Sequence, residues 1–77
     1  MIEYEMTDTF GGEANYCWVR RGQLDIDPGA STLAIVRQVK QALGLSGVRC
    51  TLDYDIGESM RYNINGQAVC FFIIFKY

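Results

Sequence analysis

Hydrophobic and polar residues alternate along most of this chain, and the alternation breaks only where turn-forming residues gather. Ile2, Tyr4 and Met6 fall on one side of residues 2–9, with Glu3, Glu5 and Thr7 on the other. A period of two with one polar face predicts a half-exposed β-strand. Phe10-Gly11-Gly12-Glu13-Ala14 predicts a hairpin loop, since two glycines accept positive φ at no steric cost. Residues 15–21 return as a second strand rich in Tyr, Cys, Trp and Val, and Gly22 marks a bulge or the end of regular pairing.

Asp27-Pro28-Gly29 breaks the strand pattern, and Ser31 or Thr32 then caps a helix that runs to about Leu43. Ile35, Val36, Val39, Ala42 and Leu43 form its apolar stripe, while Arg37, Gln38, Lys40 and Gln41 take the remaining positions. Gly44 suits a left-handed helix stop, with Leu45 folding back towards Val39. Val48 to Tyr54 and Met60 to Ile64 alternate again as third and fourth strands, joined by the turn Asp55-Ile56-Gly57-Glu58. Asn65-Gly66 predicts a type I′ hairpin, with positive φ at both positions. The last strand, Gln67 to about Lys76, is apolar on both faces and therefore belongs in the middle of a sheet. The element order is β-β-α-β-β-β. The expected fold is a single α+β domain over residues 1–77, with one antiparallel sheet of order 3-4-5-1-2 and one helix across one face.

Composition narrows the function. Of 77 residues, 49% are hydrophobic and 13% aromatic, which excludes a disordered segment. A net charge of −2 argues against a general nucleic-acid binder. The first residues have neither the basic nor the apolar region of a signal peptide, and the apolar run 68–75 is too short to span a bilayer, so a cytoplasmic protein without membrane contact is expected. Cys17, Cys50 and Cys70 show no C-x-x-C spacing and sit in apolar strand patterns, where they read as reduced, buried hydrophobes.

Candidate chemistry is sparse. The chain has no histidine, so it lacks the commonest general base and the commonest neutral metal ligand. Gly11-Gly12 lacks the G-x-x-x-x-G-K pattern of a phosphate loop. Asp25 and Asp27, or Asp53, Asp55 and Glu58, could offer oxygen ligands to a hard cation, but they read more simply as solvated turn formers. No catalytic residue, metal or cofactor is expected, and the chain is not expected to be an enzyme.

Thr7-Asp8-Thr9-Phe10-Gly11-Gly12-Glu13-Ala14-Asn15-Tyr16-Cys17-Trp18-Val19-Arg20-Arg21 resembles a T-D-T-F-G-G-E-A-N-Y-x-W-V-R-R pattern found in small uncharacterised bacteriophage and prophage proteins. The likeness continues through Ala34 to Gly44 and Gly47-Val48-Arg49-Cys50, roughly two-thirds of the chain. The resemblance implies a mobile-element setting in bacteria and carries no activity with it. By analogy of size, acidity and setting, the expected function is an interaction protein that binds and modulates a bacterial protein complex, as host-defence inhibitors of the anti-CRISPR kind do.

Two surfaces are candidates for contact. Tyr16 and Trp18, read as one side of the second strand and continued by Arg20, offer flat aromatic area beside charge, with Arg21 facing oppositely. Asp8 and Glu13 flank the loop and either pair with the arginines or hold backbone amides. The same aromatics could instead be core, with the arginines as a solvated edge. Trp, Tyr and Arg dominate interface energetics, which sets a contact role beside that core reading without displacing it. A single-stranded nucleic-acid module that stacks bases on Tyr16 and Trp18 is the alternative. The second surface is the sheet face away from the helix. One helix covers one face only, so either the row of Phe71 or the row of Phe72 points outward and could join two copies as a homodimer.

Overall fold

The computed structural model describes residues 1–76, in the order β1 (Ile2–Phe10), β2 (Glu13–Leu24), α1 (Thr32–Ala42), β3 (Cys50–Asp55), β4 (Ser59–Ile64) and β5 (Val69–Phe75). The strands form one sheet, β2-β1-β5-β4-β3, and every neighbouring pair is antiparallel. This is the expected order, with the doubly apolar last strand at its centre. Ser31 caps the helix by accepting from the Ala34 amide at 3.2 Å. The helix ends where Gly44 turns to φ +74°, with Gly44 N–H donating to the Gln41 carbonyl and Leu45 N–H to that of Lys40. Those two bonds are the pair that defines a Schellman stop.

The helix lies over Ile2, Met6, Met60, Ile64, Phe71 and Ile73, onto which it presses Ile35, Val36, Val39 and Leu43. Tyr62 stacks on Phe71 on this side, with ring centroids 5.2 Å apart. Alternation along β5 thus sends Phe71 inward and Phe72 outward. Phe71 is fully buried, so it belongs to the core and cannot itself meet a partner.

The outward row of β5 is smaller than its composition predicts. Cys70 on that row is fully buried, and Phe72 and Ile74 are half-buried. Arg61 explains part of the cover. Its guanidinium carbon sits 5.9 Å from the centre of the Phe72 ring, and Nη2 donates across the sheet to the Gly12 carbonyl at 2.7 Å. The open face is therefore partly hidden within one chain, at Cys70 and beneath the Arg61 side chain.

The first glycine hairpin forms as expected, with a tighter turn, while the Asn65-Gly66 turn departs from expectation. Gly11 and Gly12 have φ +62° and +84° between the paired residues Phe10 and Glu13, which is the two-residue type I′ hairpin. At Asn65-Gly66 only the glycine has positive φ, and the Gln67 amide donates to the Ile64 carbonyl. A positive φ at the third turn position alone gives a type II turn. Type II twists against the strands, and the connection lengthens to residues 65–68 before β5 begins.

Candidate interaction surface on the first hairpin

β1 and β2 pair regularly from Ile2↔Leu24 to Thr7↔Val19, and again at Thr9↔Ala14. Between those stretches Asp8 alone faces Asn15, Tyr16, Cys17 and Trp18. The bulge thus lies here and not at Gly22, which pairs in register with Tyr4. Gly22 is needed for packing, because a Cβ there would sit 2.2 Å from the Tyr4 hydroxyl oxygen.

A bulge strips backbone groups of their ladder partners. Here two side chains of the opposite strand replace them. Thr7 Oγ1 accepts from the Tyr16 amide at 3.0 Å and donates to the Trp18 carbonyl at 3.0 Å. Asp8 accepts from the Cys17 amide through Oδ1 and from Asn15 Nδ2 through Oδ2, both at 2.9 Å. These bonds, led by that from Asn15, hold the Asp8 carboxyl below the usual carboxylate range. Five residues of this segment therefore serve the hairpin's own structure. Thr7, Asp8 and Asn15 clamp the bulge, and Gly11-Gly12 turn the hairpin.

The clamp holds Tyr16 at φ +56°, the one positive φ outside glycine among the described residues. A bulky residue in the left-handed region is strained by roughly 1–3 kcal/mol and persists only where its surroundings over-determine it. The twist sends the Tyr16 ring onto the open face, where its hydroxyl hydrogen-bonds Glu5. That bond, with burial adding to it, pushes the Tyr16 hydroxyl up to about 12. Glu5 also accepts from Arg21 Nε at 2.8 Å. Burial raises the Glu5 carboxyl, but Arg21 and Tyr16 outweigh it and leave it lowered.

Trp18, by contrast, alternates with Val19 to the side of Arg20. Arg20 pairs with the core residue Met6 and reaches the Leu43 carbonyl at the end of the helix, at 3.4 Å. Tyr16 and Trp18 thus lie on opposite sides of β2, because the left-handed backbone at Tyr16 breaks the alternation. Neither is core: Tyr16 is 49% exposed and Trp18 41%. Phe10, at the hairpin tip, is 80% exposed, and Val19 beside Trp18 is exposed too. Glu13 opens β2 in solvent, paired in register with Phe10.

Of the residues that the sequence marks, Asp8 lies on β1 of this hairpin, and Glu13, Tyr16, Trp18, Arg20 and Arg21 lie on β2. It separates Phe72, on the open face, from Phe71, in the core. It adds Phe10, Thr7 and Arg61. A Thr-Asp pair opposite an Asn-Tyr pair across a Gly-Gly turn is the signal that marks the clamp. Cys17 also departs from expectation: it is exposed, accepting a contact from Asn15 Nδ2 at 3.1 Å, while Cys50 is half-buried and Cys70 buried. Among the described residues no three His, Cys, Asp or Glu side chains are grouped to hold a metal ion, and no helix is long and apolar enough to cross a membrane. No family model, curated protein or solved structure matches the chain.

Proposed function

We infer that the protein is a non-enzymatic interaction module that docks on a bacterial protein complex through its first hairpin and modulates that complex. The observation that carries this reading is the clamped bulge, which maintains strain at Tyr16 beside aromatic side chains left in solvent. Strain kept by several side-chain bonds is usual at binding sites, where it fixes a contact geometry in advance. Phe10, Tyr16 and Trp18 supply rigid contact area, and Arg20 and Arg21 supply directional charge. The likeness of this segment to small phage and prophage proteins supports a partner in the bacterial cell, in the manner of a host-defence inhibitor. Single-strand stacking is less well supported, because Tyr16 and Trp18 do not share a face and Tyr16 is tied to a carboxylate.

The test is co-purification of the tagged protein from a bacterial host. One host complex should be recovered in stoichiometric yield, lost on Phe10→Ser or Trp18→Ala, and retained by Leu33→Ser on the exposed face of the helix. Retention of that complex by both hairpin variants, or recovery of short oligonucleotides in its place, would overturn the reading.

A further inference from the structure

All nine acidic residues of the chain fall within residues 3–27 and 53–58. Residues 28–52, which hold α1 and the loop after it, carry Arg37, Lys40 and Arg49 and no acid, in a chain whose net charge is −2. The ion pairs follow the same division. Arg21 pairs with Glu5, Arg61 with Asp53 and Lys76 with Glu3, whereas Arg37, Lys40 and Arg49 have no acidic partner among the described residues. The positive charge of this segment is therefore uncompensated by the chain itself.

Two of these bases share a groove. Leu33, Arg37, Lys40 and Gln41 recur at helical spacing along one side of α1. After Gly44 the chain doubles back, held by the Lys40 ammonium on the Val48 carbonyl and by the Val48 amide on that of Leu45. This brings Ser46 and Gly47 up to the helix, and a groove of about 550 Å³ opens between them. Leu33 and Val36 give it an apolar wall, and no carboxylate lines it. Its donors remain available. Arg37 is exposed and unbonded, and the Ser46 and Gly47 amides donate to no acceptor, among the described residues. Lys40 uses one of its three ammonium protons on Val48.

We propose that this groove binds a short acidic segment of a second protein, an apolar residue flanked by aspartate or glutamate. The apolar side chain lies against Leu33 and Val36, while the flanking carboxylates meet Arg37, Lys40 and the Ser46–Gly47 amides. A long polyanion such as single-stranded nucleic acid fits less well. Beyond the groove it would cross the rest of the chain, where acids outnumber bases. Exposed charge pairs are weak and screened, so the contact is salt-sensitive. This goes beyond docking through the first hairpin, because no residue of the groove lies on β1 or β2.

A ¹H–¹⁵N NMR titration of the whole protein tests the proposal, with an acetylated, amidated peptide of two glutamates, a leucine and two aspartates as the probe. Amides of residues 33–48 should shift, and the counterpart peptide with glutamine and asparagine in place of the acids should leave them unmoved. Arg37→Glu and Ser46→Glu, on the two sides of the groove, should each weaken the peptide by ~3–30-fold. Both positions are exposed and make no side-chain hydrogen bond among the described residues, and the rest of the spectrum reports that each variant folds. Lys76→Glu changes the net charge as much as Arg37→Glu but acts beside Glu3, away from the groove, and should weaken binding less than about twofold. No shift in residues 33–48 at millimolar peptide, equal binding of the uncharged counterpart, an equal loss in Lys76→Glu, or tighter binding of an oligothymidylate of the same charge would each overturn the proposal. The hairpin reading rests on recovery of a host complex and on none of these shifts, so the two fail separately.

Discussion

Thr7→Val removes one oxygen from the middle of the clamp and leaves nearly everything else in place. Valine matches threonine in shape and strand preference, so packing around this fully buried position is conserved. What is lost is the acceptor for the Tyr16 amide and the donor to the Trp18 carbonyl. A buried backbone group left without a partner costs about 1–3 kcal/mol. Water reaches both groups in part, because β2 is an edge strand with exposed side chains. The lower half of that range therefore applies to each, about 2–4 kcal/mol together. A domain of this length is stable by roughly 4–12 kcal/mol, so the loss is a large share of the total. The melting temperature should fall by ~10–30 °C. Urea denaturation gives the free energy, and amide hydrogen exchange should show Tyr16 and Cys17 losing protection before the rest of β2. Thr9→Val, two residues along the same strand, is the control and should cost less than about 0.5 kcal/mol. A Thr7→Val protein within that margin of wild type, with the Tyr16 amide still protected, would refute the clamp.

Other expectations are quickly checked. Gly22→Ala should destabilise by about 1–3 kcal/mol, because the new Cβ meets the Tyr4 ring and forces it off its place on the core; an unchanged urea midpoint would contradict this. Thiol labelling followed by mass spectrometry should modify Cys17 first, Cys50 slowly and Cys70 only on unfolding, since burial raises both of the latter thiols. Tyr16 favours its protonated form in the folded state, so its contribution is complete below about pH 10 and is lost as pH rises towards about 12. Glu5 acts in the opposite sense: its lowered carboxyl stabilises the fold above the ordinary carboxylate range, and that contribution is lost as pH falls through the folded value. Glu5→Gln should accordingly bring the spectrophotometric tyrosinate titration of Tyr16 back towards 10, and no movement would contradict the hydrogen bond between them.

Much of the fold was legible in local pattern. Ser31, Gly44 and Leu45 announce the helix ends because capping depends on neighbours in the chain. Period-two alternation separated Ile2, Tyr4 and Met6 from Glu3 and Glu5, and the doubly apolar β5 disclosed the centre of the sheet. The bulge was not legible in that way. It depends on Thr7 and Asp8 reaching across to amides nine residues away, and strict alternation through Asn15 to Trp18 puts Tyr16 and Trp18 on one face, which the left-handed Tyr16 prevents. The same alternation puts Cys17 among the buried positions, whereas the bulge leaves it exposed. The cover over Phe72 was equally hidden, since Arg61 acts on a carbonyl 49 residues away.

The most direct test of the docking surface is hydrogen exchange on the complex recovered from the bacterial host, compared with the free protein. Residues 10–20 should gain protection on binding, with the outer face of α1 around Leu33 unchanged. Protection confined to α1, with residues 10–20 exchanging as in the free protein, would contradict the assignment of the first hairpin as the contact.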